Sequence, residues 1–507
     1  MSEIAVAEPG TRLQNFLDRA GLRGFPWKTA TILYTISWGW MFIVRDSLWA
    51  DDWARVRGDF PFSGYGFAPW VKYELNLFHL LGLTGIRILI FLMFFLSGLA
   101  MFGISSRISI LDCSQRKFFI LLFVILPFNT ARVALQSFYY TIAYVLFFVA
   151  WYLIINFHSR LLYYLSLVLF FFSFGMHSLL PFYLLPVLHL FFLEEIKSVQ
   201  IVLGWIRRNI VLIMMPLIYW TFRNFFWPED TLYHDITVSR VYRSASFPIL
   251  ISILLLIFYQ IQRRFTTKRH GLRIVLVGIF SMSMGIIAYV VLGFLKPDWS
   301  FGEKYLITFL GRSDWYSRHQ ILQPLGVALV TVGVIELISK FRRNKMKQLQ
   351  ILILSICVVI NIGFGFEYAV DYSKQKVVIS ELKRIGDDKA KSATQFVDQT
   401  TLLNARGHTY RPWDWSGMIW RAYDSELQYG TDVVIETSCS PRPSLRLVLI
   451  QGPETHWQAL KNWVSDGDMG FKVTVDDMPG ACKPEMVTAE KVSGAIPILF
   501  YFIGAKG

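Results

Sequence analysis

The chain has 507 residues, of which 54% are hydrophobic and only 17% charged, with a mean hydropathy of +0.43. Soluble domains carry about 25% charged residues, so a wholly water-facing globular surface is excluded. The net charge of +14 does not mark a nucleic-acid binder, because Lys and Arg fall in short clusters between apolar runs rather than on one soluble module.

Residues 1–26 are polar and mildly amphipathic, with no small-residue cleavage site after the first apolar run, so the first span itself is expected to direct insertion. Apolar runs that cross or nearly cross a bilayer follow at Thr29–Val44, Ile88–Ile104, Phe118–Phe128, Tyr139–Asn156 and Leu161–Phe174. Six more lie at Leu179–Leu193, Ile210–Trp227, Phe247–Ile261, Ile274–Phe294, Ile321–Ser339 and Ile351–Tyr368. Several fall short of the roughly 17 residues of a perpendicular span, and the pair around Met176–His177 reads equally as a re-entrant hairpin. About eleven transmembrane helices are expected.

Orientation follows from the basic residues. One set of alternate loops holds Arg107, Arg116 and Lys117, then Arg160, then Lys197, Arg207 and Arg208. It continues through Arg263, Arg264, Lys268, Arg269 and Arg273 to Lys340, Arg342, Arg343, Lys345 and Lys347. These stretches are short and poor in acids, which assigns them and the N-terminal segment to the cytoplasmic side. The opposite set, including 45–87 and 295–320, faces the periplasm. The last part of the chain changes character, with a charged helical stretch from Ser373 to Leu403 and Gly386 as its break. Strand-like runs follow at Val433–Thr437, Leu445–Ile450, Phe471–Val475 and Ile496–Phe502, with a helix at His456–Val464. The expected organisation is a cytoplasmic segment 1–28, a membrane domain 29–370 with its first periplasmic loop at 45–87, and a soluble periplasmic α/β domain 371–507.

Candidate chemistry begins directly after the first span, in Arg45-Asp46-Ser47-Leu48-Trp49-Ala50-Asp51-Asp52-Trp53-Ala54-Arg55. Acidic pairs on a membrane surface are usually just solvated. Here Asp51 and Asp52 are flanked by Trp49 and Trp53 and followed by an amphipathic segment, Ala68–Leu81, suited to the interface. Such a site reaches both lipid-borne and water-borne molecules. Cations on the same side include Arg312, Arg318 and His319 in the loop 295–320, and Arg132 in the loop at 129–138. Arg318 is the first choice for a lipid phosphate, since its fork of donors lies just before a span; the alternative is a span anchor or a partner for Asp314. Arg55 suits orienting a carboxylate, and His177 lies in a tight turn where it either meets a sugar or phosphate or is plain polar punctuation.

In the position and spacing of Asp51 and Asp52 after the first span, the chain resembles the C-type (GT-C) membrane glycosyltransferases. The Asp-Asp-Trp form and the size are most similar to bacterial glucosyltransferases that decorate O-antigen from undecaprenyl-phosphate sugar. That resemblance implies a multi-pass inner-membrane enzyme that moves a hexose, glucose by the resemblance, from a polyprenyl-phosphate donor to a lipopolysaccharide or other glycan acceptor. One of Asp51 and Asp52 would be the general base, without a choice between them, and inversion at the anomeric carbon would follow. Arg318, Arg132, His319 and Arg312 would meet the donor phosphate, and Arg55, Trp53, Trp49 and His177 the substrates.

No cofactor, metal or nucleic acid is expected. The polar pairs Glu229-Asp230 and His234-Asp235 read as solvated, and neither a P-loop nor a GxGxxG or His-Glu-x-x-His pattern occurs. The competing readings are a lipid-linked saccharide flippase or transporter, which would place polar groups near the midplane, and an O-antigen polymerase or ligase. Cys439 and Cys482 form a disulfide on the periplasmic side or stay free thiols.

Overall fold

The computed structural model describes residues 20–49, 52–53, 71–108, 110–135, 137–194, 199–226, 270–295, 320–339, 345–385, 393–407, 410, 412–423 and 445–478. The chain is mostly helical, and a few of its helices are apolar and long enough to cross a membrane. Among the described residues three meet both conditions: Leu80–Ser105, Ser137–Asn156 and Met346–Arg384. A pair bent by 49°, Gln200–Arg208 and Ile210–Arg223, makes a fourth if it acts as one span. The remaining apolar helices among the described residues are shorter, such as Arg160–Ser173 and Gln323–Ser339. The expected run Phe247–Ile261 lies outside the described residues, so eleven crossings are not reached by these helices.

In chain order the first helix among the described residues, α1 (Trp27–Trp38), runs into a 3-10 turn at Gly39–Phe42. Helix α2 (Val71–Ser105) is broken at Gly82, whose φ of 64° only glycine adopts easily, so 71–81 forms a separate helical arm ahead of the apolar part. Helix α3 (Cys113–Ile125) opens on a capping box: the Asp112 carboxylate accepts from the Gln115 amide at 2.8 Å, and the Gln115 side chain accepts from the Asp112 amide at 3.0 Å. Its far end leaves unpaired carbonyls, which neighbouring elements satisfy. Trp38 Nε1 donates to Val124 O at 3.1 Å, and Asn361 Nδ2 donates to Ile125 O at 2.6 Å.

There follow α4 (Ser137–Asn156), α5 (Arg160–Ser173), α6 (Leu179–Phe182), α7 (Leu184–Leu193), α8 (Val199–Arg208) and α9 (Ile210–Phe226). The core lies where α2 and α4 pack together and where α1 and the long helix Met346–Ile385 close on α3.

Helices α10 (His270–Leu295) and α11 (Gln323–Ser339) form a tight pair, and the reason is legible in the glycines. Gly271, Gly278 and Gly285 recur every seven residues on α10, and Gly326 and Gly333 do so on α11. The seam brings backbone against backbone: a Cβ on Gly326 would lie 2.6 Å from the Gly278 carbonyl oxygen, and one on Gly333 2.7 Å from that of Gly271. Gly326→Val is therefore expected to lower the thermal unfolding midpoint of the detergent-solubilised protein, because overpacking of this kind costs about 1–3 kcal/mol. Gly204→Ala, on α8 with nothing within 4 Å of the added carbon, is the neutral control. Equal midpoints for the two variants would remove the glycine seam as a determinant.

The long helix α12 (Met346–Ile385) has 40 residues, about 60 Å of rise against a hydrocarbon layer of about 30 Å. Its first part is the apolar run, and its second part carries Asp371, Lys374 and Gln375, all buried. The domain boundary expected at 370/371 thus falls inside one continuous helix. The expected break at Gly386 lies outside the described residues, and the helical stretch expected beyond it contains strand β1 (Ala393–Asp398) instead.

Strands β2 (Leu445–Gln451) and β3 (Lys472–Met478) lie close to where the sequence places them. With β1 they make, among the described residues, a three-stranded sheet of order β1-β2-β3, with β1 parallel to β2 and β3 antiparallel to it. The parallel pair requires a crossover, and helix α13 (Pro412–Tyr423) lies in that connection. Helix α14 (His456–Asp466) starts at Thr455, whose hydroxyl accepts from the Gln458 amide at 3.2 Å, and stops at Gly467 in the left-handed region. The expected strands Val433–Thr437 and Ile496–Phe502, and Cys439 and Cys482, lie outside the described residues.

Candidate functional site

The acidic loop after α1 is a hub. Asp52 is fully buried, and its Oδ2 accepts from the Trp49 amide at 3.2 Å and from the Leu135 amide at 3.0 Å. One carboxylate oxygen therefore closes its own turn and ties that turn to the loop leading into α4. A second bond set runs from Arg87 of α2, also fully buried. Its guanidinium donates to four backbone carbonyls: Val133 at 3.1 Å, Val44 at 2.8 Å, Arg45 and Ser47. It also lies 5.3 Å from the Trp49 ring centroid, and Asp52 and Asp46 are the carboxylates that act on its charge. A planar fork with five donors suits four diverging carbonyls; an ammonium does not.

The polar half of α12 grips the same loop from the other side. Trp49 Nε1 donates to Asp371 Oδ2 at 3.2 Å, and Gln375 holds the Leu48 peptide at both ends, donating to its carbonyl at 3.0 Å and accepting from its amide at 3.4 Å. Asp371 also accepts from the Ala405 amide at 2.9 Å and from the Tyr410 hydroxyl. Burial, then the charges of Asp371 and Asp398, push the Tyr410 phenol well above its ordinary value, so it stays a donor. From α13, Arg421 donates to the Asp46 carbonyl at 2.6 Å, with its guanidinium 5.9 Å from the Trp53 ring. Burial lowers the Arg421 value and the Asp46 charge opposes that shift. Trp53 is buried against Gly417, where any Cβ would collide with the indole.

Of the residues singled out from sequence, Trp49, Asp52 and Trp53 are brought together in this hub. Asp51, Arg55, Arg312, Arg318 and His319 lie outside the described residues. Gln320, immediately after His319, accepts from the Asn129 amide at 3.4 Å, so the end of that loop meets the loop that carries Arg132. Arg132 itself is buried. It donates to the Phe128 carbonyl at 2.9 Å and the Asn129 carbonyl at 3.1 Å, and its guanidinium lies 3.7 Å from the Trp38 ring and 4.1 Å from the Phe94 ring. Burial pushes it down to about 10, which still leaves it cationic at neutral pH. These contacts hold a loop rather than present a cation to an open surface. His177 pairs with Arg223 near the end of α9, away from the contacts of the hub.

Sequence reasoning passed over Arg87, Asp371, Lys374, Gln375, Tyr410 and Arg421. A signal existed for three of them: Asp371, Lys374 and Gln375 share a helical face with Val378 and Leu382, all of them buried. Among the described residues no group of three His, Cys, Asp or Glu side chains is arranged to hold a metal ion. The chain matches no family model, no curated protein and no solved structure.

Proposed function

We propose that the chain is a membrane-embedded, inverting glycosyltransferase that moves a hexose from a polyprenyl-phosphate donor to a periplasmic glycan acceptor such as O-antigen. The observation that carries this reading is the immobilised acidic loop: Asp52, directly after the first apolar helix, is locked to Leu135, while Arg87, Asp371 and Gln375 hold the residues before it. Reactions of this type depend on a fixed carboxylate at a membrane surface. In this proposal Asp52 positions the loop, because Oδ2 is committed to two amides, and its neighbour Asp51 takes the proton.

The acceptor oxygen attacks the anomeric carbon, the bond from that carbon to the phosphate oxygen breaks, and the acceptor proton passes to the Asp51 carboxylate. The lipid phosphate leaves with the bonding pair, its charge met by Arg312, Arg318 and His319. Arg132 is assigned to holding its loop. The proposed setting is the bacterial inner membrane with about eleven spans, a cytoplasmic N-terminus and the residues after α12 in the periplasm.

Membranes containing the protein, incubated with labelled undecaprenyl-phosphate glucose and lipopolysaccharide, test this directly. Asp51→Asn is expected to reduce label transfer by about 10²–10⁴-fold, the usual contribution of a general base. No transfer by the unaltered protein, or full transfer by Asp51→Asn with Asp52→Asn, would overturn the proposal.

A further inference from the structure

Helix α14 carries an apolar arc that nothing among the described residues covers. Trp457 is 72% exposed, Trp463 53% and Val464 74%. At 100° per residue, Trp463, half-buried Leu460, Val464 and Trp457 form one continuous stripe; Lys461 borders it beside Trp457, and Ser465 and Gln458 lie further round on the solvated side. The helix is anchored between these arcs by Ala459, buried against Val370, Leu403, Met469 and Phe471. Three large apolar side chains exposed on an 11-residue helix are too many for a purely water-facing element.

Its location says what covers the arc. The outward stripe of α12 runs through Leu352, Ile356, Val359 and Ile362, all exposed, at steps of three or four residues. The next residue on that stripe is Phe366, and its ring centroid lies 6.3 Å from that of His456, the first residue of α14. One residue later the helix turns polar at Glu367 and then Asp371. The apolar arc of α14 therefore begins where the lipid-facing stripe of α12 ends. Exposed Leu402 stands beside it, since His456 is hydrogen-bonded to the backbone of Leu403.

We infer that α14 is an interfacial helix, inserting Trp457, Leu460 and Val464 into the headgroup–acyl boundary of the same bilayer that α12 crosses. Indole rings favour that layer, and a helix with one apolar and one polar side lies in it stably. The consequence is a second attachment of the sheet-bearing region to the membrane, independent of the identity of any substrate.

The test uses the full chain with Cys113, Cys357, Cys439 and Cys482 replaced, reconstituted in nanodiscs of phosphatidylethanolamine and phosphatidylglycerol. A nitroxide is placed at one position at a time through Trp457→Cys, Val464→Cys, Gln458→Cys or Ser465→Cys. Samples are scored where elution and thermal midpoint match the cysteine-free parent. Collisions with dissolved oxygen should exceed those with a water-soluble nickel chelate severalfold at 457 and 464, and the order should reverse at 458 and 465. Dominant nickel collisions at 457 and 464 overturn the inference. So does protection from both reagents there, which marks a protein cover, or nickel access removed by soluble oligosaccharide, which marks a glycan platform.

Discussion

Arg87→Met is expected to destabilise the protein by at least about 3 kcal/mol, the cost typical of breaking a buried charge arrangement by removing one partner. The side chain donates to four carbonyls, three of them in the turn that follows α1 and one in the loop before α4. Met fills a similar volume but donates nothing, so buried acceptors lose their partners and Asp52 loses a nearby cation. Arg87→Lys should rescue little, because one nitrogen cannot span the diverging acceptors. The readout is thiol reactivity during thermal unfolding: Cys113 is exposed and reacts at once, whereas Cys357 is buried and reports the loss of structure. A double-mutant cycle with Asp52→Asn should show a coupling of about 0.5–3 kcal/mol, and additivity within about 0.5 kcal/mol would deny that the two side chains act together. Arg45→Ala supplies the contrast. Its pair with Asp46 spans 3.5 Å with both side chains at least half exposed, and such pairs contribute about 0–1 kcal/mol.

The weight on Arg87 explains why the site was only partly legible. From sequence, Arg87 is a basic residue at the edge of the run Ile88–Ile104, and such residues ordinarily end spans. Its role depends on carbonyls some 40 residues earlier and 46 residues later, and no local pattern announces them. Trp49, Asp52 and Trp53 were legible because their signal is local: an acidic, aromatic cluster right after an apolar run. Arg132 was legible as a cation in a short loop, but its carbonyl and ring contacts come from the fold of that loop and from α1 and α2.

The fold divides in the same way. Apolar helices and the strands Leu445–Gln451 and Lys472–Met478 follow from composition and alternation. Strand β1, Ala-Thr-Gln-Phe-Val-Asp, has little intrinsic strand character at its polar end and exists through parallel pairing with β2, whose residues come about 50 positions later. The part of α12 from Ser373 on was legible as a charged helix, but not that Lys374, like Asp371 just before it, faces inward. Polar residues on a buried helical face look in sequence like a solvated one.

Lys374 is the clearest instance of that inversion, and Lys374→Met is expected to cost about 3–5 kcal/mol, since it strands a buried carboxylate. The ammonium lies 2.5 Å from Asp398 Oδ2 with both side chains nearly inaccessible, and its other donors go to Asn404 Oδ1 and to the Thr400 carbonyl at 3.4 Å. Three donors meet three acceptors, with the Tyr410 ring 4.8 Å away. Asp398 is the last residue of β1, and its Oδ1 already accepts from the Thr400 amide at 2.9 Å and the Thr400 hydroxyl at 2.8 Å. The lysine thus pins the end of the sheet and the turn after it to α12, the helix whose Asp371 and Gln375 hold the acidic loop. Loosening that pin should expose the chain beyond Ile385 to protease before the apolar helices unfold, which limited proteolysis of the detergent-solubilised protein measures. Adding Asp398→Asn to Lys374→Met should recover much of the loss, because the unpaired charge disappears while an acceptor remains for the Thr400 amide. A double variant as unstable as the sum of the singles would mean that the ion pair is incidental. Lys374→Met with unchanged proteolysis would mean that the sheet is held to α12 by its apolar contacts alone.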